Sequence, residues 1–181
     1  MRLVLLGAVV GPLLDRAHAW TGAIAYDTPV TPLGIPWWVS LVYGGAALGI
    51  GLSHPPLDRA LRRPQRVTLS KGRLAGGFAA MASLWVASGL LPGSNVAIAL
   101  VLAVGAAGML IVLDRTWQGV LLALGTGLGG VLVEATLVRL GLFHHRRPDW
   151  LGLPVWLPLL YFGGSVAIGN LARSFEREAT P

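Results

Sequence analysis

Four ionisable residues interrupt long apolar stretches of the sequence and are the first candidates for chemistry. Asp15, Arg16 and His18 follow an apolar run near the N-terminus, and Glu134 lies inside another one. If these runs cross a membrane, each charged group costs about 3 kcal/mol at the bilayer centre unless it is paired or faces a cavity. Asp15 and His18 are three residues apart and so share a helix face. An ion pair of Arg16 with Glu134 or Asp15 is the interpretation we favour. A site for the polar head of a lipid and a proton relay remain open.

Motifs for catalysis or for metal binding are nearly absent from the sequence. It contains no cysteine, and no two histidines, or glutamate and histidine, stand three or four residues apart as helix-borne metal ligands do. The adjacent His144 and His145 point to different faces. The glycine-rich stretch 125–130 resembles a phosphate-binding loop only faintly, because it lies in an apolar run with no strand before it. We therefore predict no enzyme, no metal and no cofactor, and we read these glycines as sites of close helix packing.

Composition places these residues in a membrane protein. The chain has 181 residues, of which 54% are hydrophobic and 12% charged, about half the charge of an ordinary soluble domain. This excludes a soluble globular enzyme, a disordered chain and a disulfide-stabilised secreted module. Its formal net charge of +6 is also typical of nucleic-acid binders. The charges, however, fall in short clusters between long apolar runs, so we expect a membrane protein and no nucleic acid.

Uncharged runs set the number of helices. A membrane-spanning helix needs about 20 mostly apolar residues, so the 40-residue run 74–113 holds two helices, separated by the turn-forming stretch 91–95. The sequence predicts an all-α integral membrane protein, a bundle of six transmembrane helices forming a single membrane domain over residues 1–181. The predicted helices are about 3–24, 36–53, 74–91, 95–113, 118–141 and 154–172. As an alternative, residues 1–19 could be a cleaved signal peptide ending in a small-x-small motif.

Basic residues predict the orientation in the membrane. The loop 54–73 holds six of them, and more lie at the C-terminal end, so by the positive-inside rule both termini are cytoplasmic. Arginine makes up 13 of the 14 basic residues, which is typical of a GC-rich bacterial genome. We therefore expect the bacterial cytoplasmic membrane. Four loop arginines either contact anionic lipid heads or are simply solvated: Arg59, Arg62, Arg63 and Arg66.

Four motifs in register then resemble one known family. Residues 155–173 carry Trp-Leu-Pro, Gly-Gly, Gly-Asn and a final Arg, as the last helix of the Insig (insulin-induced gene protein) family does. The Leu-Asp-Arg motif at 113–115 with Gly119 is similar to that family's Phe-Asp-Arg-x-x-x-Gly. Trp-Trp-Val at 37–39 and Pro-Leu-Asp at 56–58 resemble motifs at the two ends of its second helix. The resemblance covers about residues 35–175.

This resemblance implies a six-helix membrane protein that holds a lipid between its helices and regulates partner membrane proteins without being an enzyme. In the family the aspartate of the Asp-Arg motif matters for partner binding, which implies such a role for Asp114 and Arg115. Polar residues near the family's sterol are replaced here by Ala97, Ala99 and Val101. We therefore expect a neutral lipid, diacylglycerol-like or sterol-like, and we also expect a homo-oligomer.

Residues expected to line or gate the lipid pocket are polar or aromatic and lie in the predicted helices: His18, Trp38, Tyr43, Trp85, Glu134 and Tyr161. Two other classes remain open. The first is a small proton-coupled transporter that uses Asp15, His18 and Glu134. The second is a lipid-modifying enzyme with Asp15 and His18 as acid and base, which would lack a nucleophile or metal to accompany them.

Overall fold

Helices make up most of the computed structural model, which describes residues 1–61 and 69–178. Over these residues the chain forms six α-helices, as predicted. They are α1 (Arg2–Thr21), α2 (Trp38–Ala60), α3 (Lys71–Leu90), α4 (Asn95–Leu113), α5 (Trp117–Arg139) and α6 (Leu157–Glu178). The bounds of α4 are those expected from sequence, and the predicted turn joins α3 to α4. Helices α2 and α6 extend about seven and six residues further than expected, into charged sequence.

Local side-chain chemistry explains where several helices begin and end. Ser70, Ser94 and Thr116 precede α3, α4 and α5, and each side chain accepts a hydrogen bond from the backbone N–H three residues later. Such N-caps satisfy donors that have no partner within the helix. Helix α1 ends at Gly22, whose φ of 75° is left-handed and therefore suits glycine.

Two short strands, which the sequence did not predict, join the loops at one end of the bundle. Strand β1 (Ile24–Tyr26) follows α1 and pairs antiparallel with β2 (Phe143–His145), which follows α5. Ile24 is opposite His145 and Tyr26 is opposite Phe143. The pairing fixes the ends of α1 and α5 next to each other, and it carries Tyr26 and His145 towards the helices.

Helix α6 lies at the centre of the bundle and contacts α2, α3, α4 and α5. Leu157, Leu160 and Val166 are at most 2% exposed, and its polar residues Ser165 and Asn170 are buried as well. A helix surrounded by other helices can place polar side chains against protein rather than lipid. This position explains why α6 is among the less apolar helices of the chain.

Helices α1, α4 and α5 are each long and apolar enough to cross a membrane, judged over the described residues. The most apolar window of α4 has a mean hydropathy of 2.8. Leu100 and Val104 on α4, and Leu128 and Leu132 on α5, are exposed. A row of exposed apolar side chains along a helix is what a lipid-facing surface requires.

Helices α1 and α2 pack closely against each other at two glycines of α1. A Cβ atom added to Gly7 would lie 2.5 Å from the carbonyl oxygen of Tyr43, and one added to Gly11 would lie 2.1 Å from Cγ of the same residue. The two helices therefore touch along their backbones, as small residues allow in membranes. Helix α1 is therefore packed against the rest of the bundle through α2.

Candidate functional site

One buried carboxylate of the site belongs to α1. Asp15 accepts hydrogen bonds from the hydroxyls of Tyr26, at 2.5 Å, and Tyr43, at 2.9 Å. Burial and the adjacent Asp15 carboxylate raise the pKa of Tyr26 in β1 above its usual value, so its hydroxyl remains protonated and donates. Asp15 is thus held by residues of β1 and α2 rather than by a cation.

The second carboxylate, Glu134 on α5, is held in the same way. It accepts a hydrogen bond from the Tyr161 hydroxyl of α6, and its Oε2 lies 2.7 Å from Nε2 of His145 in β2. The side chains of His145 and Glu134 are 2% and 12% exposed. The buried partner of Glu134 is therefore a histidine of strand β2, which follows α5.

The expected pairing of Arg16 with Glu134 or Asp15 is wrong. Arg16 is exposed and donates to the backbone carbonyl of Leu33, while both carboxylates are bonded to tyrosine or histidine. The reason is geometric, because successive residues of an α-helix are turned by about 100°. Asp15 faces the bundle, so its neighbour Arg16 cannot do so.

Aromatic rings complete the site around Trp85 of α3. The His18 ring stacks on Trp85 with 5.4 Å between centroids, and Tyr43 and Tyr161 each meet it edge-on at 6.0 Å. His18 Nε2 lies 2.8 Å from the Ser88 hydroxyl and 3.0 Å from the Trp85 carbonyl oxygen. Four helices thus contribute to one contiguous cluster.

Five of the six predicted lipid residues line a single small cavity of about 30 Å³, together with Asp15: His18, Trp38, Tyr43, Glu134 and Tyr161. The sixth, Trp85, lines an adjoining apolar cavity of about 60 Å³. Both cavities share Tyr43 and Tyr161 with a third space, an open groove of about 770 Å³ between α2 and α5. We call this space the α2–α5 groove. Of the six predicted residues, Tyr43 and Tyr161 therefore line the groove itself, and the other four lie around the two smaller cavities.

Glycine makes room for the α2–α5 groove. Gly45 and Gly49 on α2, and Gly125 and Gly129 on α5, line it, and a Cβ atom at any of these four positions would meet nothing within 4 Å. Gly130 differs, because a Cβ atom there would lie 2.4 Å from Cδ2 of Tyr161. The glycine-rich stretch 125–130 therefore serves close packing on one side, as expected, and opens the groove on the other.

Among the described residues, two buried nitrogen atoms near these cavities have no hydrogen-bond partner: Nε1 of Trp85 and Nδ1 of His145. Sequence reasoning selected Trp85 but missed His145 and Tyr26. Both missed residues lie in loops after α1 and α5, where only the unpredicted strand pairing brings them to the site. No group of three or more candidate metal ligands lies close together in the described part of the chain.

The residues expected to bind a partner lie at the other end of the bundle. Asp114 has a side chain that is 1% exposed, accepts a hydrogen bond from Thr116, and lies 2.8 Å from Nη1 of Arg173 on α6. The other terminal nitrogen of Arg173 lies 3.4 Å from Asp58 on α2. Arg115 is exposed, has a left-handed φ of 57°, and donates to the Ile111 carbonyl.

Of this pair only Arg115 therefore presents its side chain at the surface, whereas Asp114 fixes the turn between α4 and α5. We call Asp58, Asp114, Thr116 and Arg173 the Arg173 network. Arg62, Arg63 and Arg66, expected to meet lipid heads or solvent, lie outside the described residues, and Arg59 is exposed near the end of α2.

The six-helix fold is similar to solved structures of one protein. The solved structure of the mycobacterial Insig homolog MvINS from Mycobacterium vanbaalenii superposes with a TM-score of 0.82 and 27% identity, covering 94% of this chain and 89% of that one. A cross-linked MvINS trimer, made with an arginine-to-cysteine substitution, gives a TM-score of 0.84 and 26% identity, covering 99% of this chain and 94% of that one.

Curated relatives agree with the structural match. Insulin-induced gene 1 protein of Danio rerio is 29% identical over 181 residues, covering 98% of this chain and 72% of the relative. Insulin-induced gene 1 protein of Gallus gallus is 30% identical over 174 residues, covering 94% and 69%. No family model matches the chain. The chain belongs to the Insig family and is an integral membrane protein, which confirms the resemblance seen in its motifs.

Proposed function

We propose that this chain is a non-enzymatic membrane regulator that holds one neutral lipid in the α2–α5 groove. The observation that carries this proposal is the junction at Tyr43 and Tyr161. These two residues line the apolar groove, and their hydroxyls donate to the buried carboxylates of Asp15 and Glu134. An amphiphile with its chains in the groove and its head at this junction would match both surfaces.

The polar cluster favours a lipid head that bears hydroxyl groups. The Asp15 and Glu134 carboxylates can accept hydrogen bonds from a hydroxyl, whereas they repel a phosphate or carboxylate head in a low-dielectric site. The groove, at about 770 Å³, falls within the range of about 300–1,000 Å³ typical of ligand pockets. A diacylglycerol-like lipid supplies the hydroxyl and two chains, and a sterol-like lipid is the alternative.

Regulation would follow if the lipid binds two helix arrangements with different affinity, because only such a difference can shift their populations. The family assignment supports a partner in the membrane, and the exposed Arg115 beside the buried Asp114 is the surface we assign to it. We also propose that the chain is a homo-oligomer, which the cross-linked MvINS trimer supports. The basic loop and C-terminal end support cytoplasmic termini in a bacterial cytoplasmic membrane.

Native mass spectrometry of the purified chain, followed by extraction and identification of its lipid, tests the proposal. We expect one stoichiometric neutral lipid on the wild type. Gly49→Leu should reduce its occupancy at least about fivefold, because a leucine there takes up space in the groove, and a loss of about 1 kcal/mol in lipid packing corresponds to about fivefold in affinity.

Gly76→Leu on α3 is the matched control, since a Cβ atom there also meets nothing and Gly76 does not line the groove. We expect this variant to keep the lipid. A mixture of bulk phospholipids on the wild type, or equal occupancy in the two leucine variants, would contradict the proposal.

A small proton-coupled transporter remains the second candidate because Asp15, His18 and Glu134 line the same cavity. Glu134 also contacts His145, which adds a further titratable group at hydrogen-bond distance. Proton flux into vesicles that contain the purified protein distinguishes this candidate. Flux that Glu134→Gln abolishes would favour a transporter, whereas a lipid regulator should show none above protein-free vesicles.

A further inference from the structure

Trp85 carries a hydrogen-bond donor that the described part of the chain does not use. The residue is 4% exposed, and its indole Nε1–H has no acceptor among the described residues. Its ring is held by His18 on one side and by Tyr43 and Tyr161 at its edges. The orientation of the indole is therefore fixed by packing.

Another tryptophan of the same hydrophobic cluster shows what such a residue normally does. Trp156 is 3% exposed, and its Nε1–H donates to the side-chain oxygen of Asn95 at 3.2 Å. Even the less buried Trp38 donates to the Thr28 hydroxyl at 3.3 Å. Buried tryptophans usually find a partner, and a buried donor without one is an unusual feature that calls for an explanation.

The surroundings of Trp85 favour an acceptor that arrives with a ligand. Trp85 lines the apolar cavity of about 60 Å³, whose wall is almost entirely carbon. The hydroxyls of Thr126 and Ser165 also line this cavity, but they are hydrogen-bonded to each other at 3.1 Å. The cavity shares Thr126, Tyr43 and Tyr161 with the α2–α5 groove, so a lipid in the groove can reach it.

We propose that Trp85 donates its indole N–H to an ester carbonyl oxygen of the bound lipid and so makes the site selective for acylglycerols. This inference rests on the lipid-binding function proposed above. The hydroxyl of an acylglycerol is taken up by the Asp15 and Glu134 cluster, and an ester carbonyl a few bonds away then meets Trp85. A sterol with a single hydroxyl, once this lies at the cluster, has no second oxygen atom to place at Trp85. A glycerol lipid with ether-linked chains likewise lacks the carbonyl.

Competition between dioleoylglycerol and its dioleyl ether analogue tests this, with the full-length chain in detergent and native mass spectrometry as the readout. The two lipids have the same head and nearly the same chains, and they differ in the ester carbonyls. We expect the wild type to prefer the ester by about fivefold, the size of one net hydrogen bond. Trp85→Phe should bind both lipids about equally, because it keeps an aromatic ring and loses the donor.

Trp156→Phe is the matched control, since it removes a buried indole whose donor is already satisfied. We expect it to keep the fivefold preference. If Trp85→Phe fails to fold, the indole ¹⁵N–H resonance of Trp85 in the wild type provides a second measurement. It should shift downfield with dioleoylglycerol and not with the ether lipid.

The outcomes distinguish a failure of the inference from a failure of the proposed function. Binding of neither glycerol lipid to the wild type overturns the proposed function and this inference together. Binding of both lipids with equal affinity, or a preference that Trp85→Phe leaves unchanged, overturns the role of Trp85 while lipid binding stands. An indole resonance that responds equally to both lipids has the same meaning.

Discussion

Removal of Arg173 should destabilise the protein more than removal of any exposed arginine. The Arg173 guanidinium lies 2.8 Å from Asp114 and 3.4 Å from Asp58, whose side chains are 1% and 10% exposed. Arg173→Gln would leave two buried carboxylates at the meeting point of α2, α6 and the turn between α4 and α5. A buried charge that loses its partner is costly because water cannot replace the partner.

The contact distances indicate how much of the lost stability comes from each of the two carboxylates. Breaking a buried pair costs about 3–5 kcal/mol, and the shorter, more buried contact to Asp114 should account for most of it. We expect Arg173→Gln to lower the free energy of unfolding by about 3–4 kcal/mol. At about 2–4 °C per kcal/mol for a chain of this size, the apparent Tm should fall by about 6–16 °C.

Thermal unfolding of the purified protein in detergent, at one fixed scan rate, measures this effect. Arg115→Gln is the control, because Arg115 is exposed near the same end of the bundle and should change stability by less than about 0.5 kcal/mol. The double variant Arg173→Met with Asp114→Leu should recover part of the loss, since it removes the stranded charge of Asp114. An Arg173→Gln protein that melts within about 2 °C of the wild type would refute this reasoning.

Two further predictions concern the proposed lipid site. Gly130→Ala should lower the free energy of unfolding by about 1–3 kcal/mol, because its Cβ atom would lie 2.4 Å from the Tyr161 ring. Gly129→Ala is the control, since a Cβ atom there meets nothing within 4 Å, and it should have almost no effect. Thermal unfolding in detergent measures both variants. Glu134→Gln should raise the occupancy of oleate relative to dioleoylglycerol in native mass spectrometry, because it removes a negative charge that repels a carboxylate head. Equal effects of the two glycine variants, or an unchanged oleate ratio, would contradict the respective assignment.

The helices could be predicted because absence of charge over about 20 residues is a local property that the membrane imposes. The bounds of α4, a helix with no charged residue, were predicted without error. Helix α2 instead runs past Asp58, and α6 runs past Arg173, where the predicted spans had already ended. These two residues bond to each other across the bundle, so each allows the other to lie inside a helix. A reading of one helix at a time cannot detect such compensation.

The structure brings the residues expected at the site close together, but the bonds between them differ from those expected. The six residues expected to line a lipid pocket lie around two adjoining small cavities, and Tyr43 and Tyr161 also line the α2–α5 groove. The partner expected for Glu134 was Arg16, whereas the actual partners are Tyr161 and His145. The pairing of Arg16 with Glu134 was expected because the two residues lie at similar depth in the membrane. Depth, however, does not determine the direction in which a side chain points. Nor does any pattern within a three-residue strand indicate that His145 returns from its loop to the helices.

Helix α6 connects the two ends of the molecule that the proposed function requires. Tyr161 donates a hydrogen bond to Glu134 at one end of α6. Arg173 pairs with Asp114 twelve residues later, about 18 Å further along the helix axis. Towards its C-terminal end α6 is tightly packed on α2, since a Cβ atom at Gly169 would lie 2.2 Å from Nε2 of His54. A helix held this closely cannot slide by small amounts, so a lipid that displaces Tyr161 must move α6 between discrete packings or leave it in place. The lipid can therefore change the surface at Arg115 only to the extent that it binds one of those packings better than the other.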